Sequence, residues 1–325
     1  MKYRHICLVA LLGALCVSIA GPAEAFLPGM PSFSQWCCAP SQKPDCSVAG
    51  KLGYLGYNRP LIFEIGAVGT PLQAGGVDLL GLRTEIPVEG LWLGASVTGA
   101  GSRRGVSSCD PGDPLCLSVG ATWLDPNNKE GSGLHFIGSQ LPDDDRTWRP
   151  SIQWYTLEAS ASRCLGNFSL IGGFRFDSFM TSLANTAGPG AFFGLASDEA
   201  EFKLSSYIPY VGAVTRWGAV ELGFIGFPWV PGTVLYKETF GLTGQRLEAS
   251  GTYRNAYFFE AFADVGGRLG VVHLSAFALY TMLHATGELN VTVTGNPSSQ
   301  PYTFGIDRQN WIVGGKAVVG FISPI

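Results

Sequence analysis

The sequence is short of charge. Asp, Glu, Lys and Arg make up 14% of the chain, against roughly 25% in soluble globular domains. So little charge leaves too few groups to cover a wholly wetted surface. A formal net charge of −4 also excludes the basic face that nucleic acid requires. Beyond residue 25 there is no apolar run of the roughly 20 residues a membrane-spanning helix needs. Histidine is scarce: once the first 25 residues are set aside, only His135, His273 and His284 remain. No Gly-x-Ser-x-Gly elbow and no zinc-binding motif is present, so the usual hydrolase and metal signatures are missing. No metal site and no cofactor is expected.

Glycine and aromatic residues are abundant, with 44 glycines and 12% Phe, Trp and Tyr in a chain of positive mean hydropathy. A hydrophobic chain without hydrophobic helices points to strands that turn one face to lipid. The N-terminus reads as an export signal. Lys2 and Arg4 precede an apolar stretch from Ile6 to Ile19, and Ala23-Glu24-Ala25 fits a small-x-small cleavage site before Phe26. The expected organisation is a signal peptide over 1–25, an irregular cysteine-containing segment over 26–58 and a barrel over 59–325. Six cysteines follow the signal: Cys37, Cys38, Cys46, Cys109, Cys116 and Cys164. An even number in an exported chain favours disulfides. Cys109 and Cys116 flank Asp110-Pro111-Gly112-Asp113-Pro114, a turn that one bridge could close. Either Cys37 or Cys38 could pair with Cys46, and the other with Cys164.

Two-residue alternation runs through the chain from Leu61 onward. Tyr155, Leu157, Ala159 and Ala161 oppose Thr156, Glu158, Ser160 and Ser162. After Arg163-Cys164-Leu165-Gly166 the chain returns with Phe168, Leu170, Gly172, Phe174 and Phe176 on one face. Val220, Leu222 and Phe224 repeat the pattern. So do Tyr257 to Val265, Val272 to Met282 and Trp311 to Phe321. This is the period of a strand with one apolar face. Short turns near 163–166, 217–218 and 266–270 alternate with polar stretches near 181–203, 237–252 and 286–303, which read as long loops on the opposite side. With both termini periplasmic, seven strands from Ser151 onward require an odd number before them. Leu61–Val68, Ile86–Gly99 and Leu115–Leu124 supply three. The expected fold is therefore all-β, a closed antiparallel up-and-down transmembrane barrel of about ten strands, with eight and twelve as alternatives. Trp154, Tyr155, Trp217, Phe227, Trp229, Tyr236, Tyr257, Tyr280 and Trp311 cluster near strand ends, where interfacial girdles place rings.

The hairpin Trp154–Met180 resembles bacterial outer-membrane β-barrel proteins. The resemblance lies in the strand Tyr155-Thr156-Leu157-Glu158-Ala159 and its return Leu170-Ile171-Gly172-Gly173-Phe174-Arg175-Phe176. The last strand, Trp311–Phe321, is similar to the barrel-assembly signal of that class. It departs from that signal in ending Ser323-Pro324-Ile325 and in carrying Lys316 where glycine is often seen. The resemblance is at the level of class. It implies an outer-membrane location, with outer-membrane lipid, lipopolysaccharide and the barrel-assembly machinery as partners, and it brings no functional residues with it.

The faces opposite the apolar ones collect Glu158, Arg175, Asp177, Glu221, Glu260, Asp264, His273 and Lys316. In a narrow barrel they point inward, where unpaired ions are costly, so acids and bases should pair. The first expectation is a polar plug in a non-enzymatic barrel with a structural, surface-interaction or narrow-channel role. The sharper alternative is a lumenal path for a small solute, with charged rings setting its selectivity. A second class is an outer-membrane hydrolase acting on lipid or peptide, with His273, Ser275 and Glu260 or Asp264 as a conceivable triad. A third is a soluble secreted β-protein with the apolar faces turned inward. The acidic stretch Leu141-Pro142-Asp143-Asp144-Asp145-Arg146 reads as a solvated loop.

Overall fold

The computed structural model describes residues 46–56, 59–67, 72–74, 77–101, 115–127, 129–137, 144–165, 168–187, 197–217, 219–240, 244–269 and 272–321. The signal sequence, Cys37, Cys38 and Cys109 lie outside them. Fifteen strand segments are described: β1 (Cys46–Gly56), β2 (Leu61–Ala67), β3 (Leu72–Ala74), β4 (Val77–Ile86), β5 (Gly90–Gly101), β6 (Leu115–Pro126), β7 (Gly131–Ile137), β8 (Asp144–Leu165), β9 (Phe168–Ala187), β10 (Ser197–Trp217), β11 (Val220–Phe227), β12 (Gly232–Phe240), β13 (Arg246–Leu269), β14 (Val272–Val293) and β15 (Asn296–Phe321).

These segments make ten staves. Four staves are each broken once, between β1 and β2, β4 and β5, β6 and β7, and β11 and β12. Pro60, Pro87, Pro126, Pro228 and Pro231 stand at these breaks, and proline has no N–H to give to a ladder. Below the breaks the ring runs β1, β5, β6, β8, β9, β10, β11, β13, β14, β15 and closes by pairing β15 with β1. Above them it runs β2, β4, β7, β8, β9, β10, β12, β13, β14, β15 and closes by pairing β15 with β2. All pairings are antiparallel. The breaks are stitched rather than loose. Tyr54 donates to Glu89 at 3.3 Å, Lys129 donates to Glu89 at 3.0 Å, and the Asn127 backbone N–H donates to the Glu89 carbonyl at 2.8 Å.

The wall begins at Cys46, inside the segment expected to be irregular. Val48, Gly50, Leu52 and Tyr54 face outward there, but glycine and lysine dilute the apolar alternation. The described residues of the three polar stretches read as long loops are mostly strand. β9 continues to Ala187 and β10 starts at Ser197. β12 reaches Phe240 and β13 starts at Arg246. β14 and β15 are joined by the two-residue turn Thr294-Gly295, with Gly295 at φ 90°. On the other side, the connection over 102–114 is the one departure from short turns. At about 3.3 Å per residue, the 26 residues of β15 run about 86 Å, whereas a transmembrane strand takes roughly 9–11 residues. About half or more of each long stave therefore stands outside any bilayer.

The two halves of the wall have opposite polarity. In the half carrying the termini and short turns, apolar side chains face outward. Leu157, Phe174 and Leu274 are each about half exposed, and Leu52, Val119, Val211, Phe224 and Val313 join them. A contiguous apolar surface of this extent belongs against lipid. In the other half, polar side chains face outward (Ser182, Lys203, Glu248, Thr252, Arg254, Glu288 and Asn290) and apolar ones fill the interior. Phe63, Phe179, Phe202, Leu204, Tyr236, Leu289, Tyr302 and Phe304 belong to one continuous core. Its rings are in contact: Phe63 lies 4.3 Å from Phe202 and 5.7 Å from Tyr236 between centroids.

Exposed aromatic residues mark the upper edge of the apolar belt. Trp123 stacks on Tyr155 at 6.4 Å, Tyr155 meets Phe176 at 6.1 Å, and Phe176 meets Tyr207 at 5.3 Å. Further round, Tyr280 meets Trp311 at 5.0 Å and Tyr257 stacks on His284 at 5.3 Å. Trp217 and Leu269, both highly exposed, lie at the opposite edge. Two residues expected in the girdles, Trp154 and Tyr236, are instead buried inside the barrel, because the parity of their strands turns them inward.

Candidate functional site

The lumen of the membrane-spanning half holds the polar groups, arranged in three levels. At the level of the outer aromatic ring, Asp177 on β9 takes a bidentate pair from Arg308 on β15 and a hydrogen bond from the Trp154 indole N–H at 2.9 Å. The Arg308 guanidinium also lies over the Trp154 ring, 4.5 Å from its centroid. All three side chains are buried. Immediately above, Ser206 and Tyr253 share a hydrogen bond of 3.0 Å.

One turn of the β9 pleat lower, Arg175 bridges two carboxylates. It donates through Nε and Nη2 to Glu158 Oε2 at 2.9 and 2.7 Å, and through Nη1 to Glu260 Oε2 at 2.6 Å. Tyr210 donates to the other oxygen of Glu158 at 2.6 Å, and the Phe258 ring lies 5.2 Å from the guanidinium carbon. Lower still, Lys316 on β15 pairs with Asp264 on β13, and Glu221 lies opposite Asp264 in the β11–β13 register. A cavity of about 230 Å³ runs between these levels and is also lined by Lys51.

Period-two geometry produces this arrangement. Arg175 and Asp177 are two apart on β9, and Glu260 and Asp264 are four apart on β13, so each pair shares the inner face. Glu158, Arg175, Asp177, Glu260, Asp264 and Lys316 are brought together in pairs, and Glu221 is buried among them. His273 is buried on the same inner face, two residues from Ser275, which lies opposite Lys316.

The conceivable triad is not assembled. Glu260 lies opposite Thr281 on β14, eight residues from His273, or about 26 Å at 3.3 Å per residue, and its carboxylate is held by Arg175. Asp264 is held by Lys316. His284 is on the outer surface, stacked on Tyr257. The side chain of His135 lies outside what is described. Cys116 is buried on the inner face.

Four members of the network were missed by sequence reasoning: Lys51, Trp154, Tyr210 and Arg308. Arg308 carried a usable signal. It interrupts the apolar series Tyr302, Phe304, Ile306, Ile312 on one face, which marks an inward charge. That series stays hidden when the last strand is started at Trp311, after a loop over 286–303.

Among solved structures, the fold is similar to outer membrane protease OmpT from Escherichia coli. The TM-score is 0.63, the identity 11%, and the match covers 88% of this chain and 100% of that one. Two weaker likenesses are the translocator domain of autotransporter NalP from Neisseria meningitidis and the transport unit of autotransporter AIDA-I from Escherichia coli. The first has TM-score 0.34 and 12% identity, covering 86% of this chain and 89% of that one. The second has TM-score 0.32 and 10% identity, covering 85% and 89%. No family model and no curated protein matches the chain. The OmpT likeness is one of fold. Together with the apolar belt and its aromatic edge, it defines a transmembrane β-barrel of the bacterial outer-membrane class.

Proposed function

We propose that this protein is a closed, non-enzymatic outer-membrane barrel whose working surface is its extracellular half. One observation carries the reading: the outer half of the lumen is filled by a continuous apolar core. Phe63, Phe179, Phe202, Tyr236 and Tyr302 occupy the space through which a solute would have to pass. Below that core, the Asp177–Arg308–Trp154 level seals the polar compartment. The lumenal ion pairs then act as a plug that fixes strand register rather than as a selectivity filter. A packed interior admits no water column, so a narrow channel for a small solute is disfavoured.

The class brings outer-membrane lipid, lipopolysaccharide and the barrel-assembly machinery as partners. Export begins with cleavage before Phe26, and Cys109 pairs with Cys116. Planar-bilayer recording is the test. The purified barrel should give no unitary currents, and stable single-channel steps would end the closed-barrel reading.

The hydrolase reading draws its support from the OmpT likeness, since that neighbour is a protease. The assembly of Glu260 with Arg175, away from His273, counts against the triad considered above. Incubation of the purified barrel with a peptide library, read by mass spectrometry, should leave the peptides intact. Cleavage that survives His273→Ala would require a different site on the extracellular half.

A further inference from the structure

The outer wall of a barrel is convex, yet the outer half of this one carries a trough of about 800 Å³ that crosses β2, β4, β13, β14 and β15. That is within the roughly 300–1,000 Å³ of small-molecule sites. Its floor lacks side chains. Gly305 faces outward with no neighbour where a Cβ would stand, and at Gly66 the nearest atom is Thr303 Oγ1 at 3.8 Å. One bank is the ion pair of Arg254 and Glu288, both well exposed. The other is Glu64, held by Arg83 at 2.8 Å. Each bank thus offers forked donors or paired acceptors in a fixed orientation, with capacity for further hydrogen bonds.

The lower end of the trough meets the edge of the apolar belt. Asn255 lies two residues above Tyr257, and Thr286 two above His284, so the trough opens onto the Tyr257–His284 and Tyr280–Trp311 rings.

We propose that this trough holds the saccharide headgroup of an outer-leaflet glycolipid. The proposal rests on the membrane placement given above. Exposed aromatic faces suit the apolar C–H faces of hexoses, and fixed carboxylate and guanidinium pairs suit their hydroxyls. The banks carry both signs of charge, which favours a hydroxyl-rich ligand over a phosphate alone. Continuity with the belt decides the source. A glycolipid whose acyl chains lie on Phe259 and Val313, two residues below Tyr257 and Trp311, brings its sugars to this height, and anchoring raises their effective concentration at the trough.

The test uses the purified full-length barrel in detergent, incubated with short-core lipopolysaccharide, with bound glycolipid counted by native mass spectrometry. Phosphatidylethanolamine serves as the sugar-free control. Gly305→Tyr fills the floor where the wall leaves open space, and Arg254→Ala removes one bank from an exposed position. Either variant should weaken glycolipid retention about tenfold, equivalent to about 1.4 kcal/mol. Ser182→Tyr, on β9 across the barrel, should not. The proposal is overturned if both trough variants retain glycolipid like the parent, if Ser182→Tyr loses as much, or if phosphatidylethanolamine binds equally. Heat-modifiable gel mobility of each variant reports folding separately. Loss of that property in the parent would instead contradict the barrel reading itself.

Discussion

The two halves of this barrel are built from the same staves, yet they solve opposite problems. The half near the termini meets hydrocarbon outside and keeps ions inside. The other half meets water outside and keeps Phe63, Phe202 and Tyr302 inside. Strand parity does not change along β14, where Leu274 and Glu288 face outward and His273 and Leu289 face inward. Only the chemistry assigned to each face changes. A single periodicity therefore encodes two solvents, and the crossover lies at the aromatic ring from Trp123 to Tyr207.

Substitutions separate the halves, beginning with the largest effect. Arg175→Met leaves Glu158 and Glu260 buried without their cation. It should cost about 3–5 kcal/mol, read as a lowered urea midpoint in detergent, and adding Glu158→Gln should recover part of that loss. In the other half the vulnerable element is apolar volume. Phe202→Ala, in the tightly packed core, should cost about 3–5 kcal/mol, whereas ionic strength should leave its stability unchanged. Outward charge draws the contrast along one strand. Phe174→Arg, facing hydrocarbon, should cost about 2–4 kcal/mol, while Ser182→Arg, eight residues further up β9, should fall within about 0.5 kcal/mol of the parent. The smallest effect belongs to the exposed pair of Arg83 and Glu64. Arg83→Ala should change stability by about 0–1 kcal/mol, an effect that disappears in high salt.

The membrane-spanning half was legible in the sequence because its outward face is apolar and its inward face polar, the pattern expected of a barrel in lipid. Leu157 against Glu158 and Phe174 against Arg175 gave both the strands and their inner faces. Connection parity required an odd number of strands before Ser151, and the three candidates there favoured ten over eight or twelve. The other half was not legible by the same rule. Arg246, Glu248, Ser250 and Thr252 alternate with Leu247, Ala249 and Gly251 as regularly as any lipid-facing stretch, but their polar members suggested loop. Reading them with water outside would have extended every stave and turned Tyr236 and Arg308 inward. The proline breaks hid the first stave for a different reason. Cys46–Gly56 and Leu61–Ala67 are one wall element interrupted at Pro60, and a strand cut in two looks like a segment followed by a strand.

The placement of the bilayer is tested most directly by depth-dependent quenching. Single cysteines labelled with a fluorophore at Leu157, Phe174 and Leu274, and at Ser182, Ser250 and Asn290, would be reconstituted into bilayers containing brominated lipid. Strong quenching at the first three sites and none at the second three is the expected result. Equal quenching in both sets, or quenching confined to the second, would contradict the account.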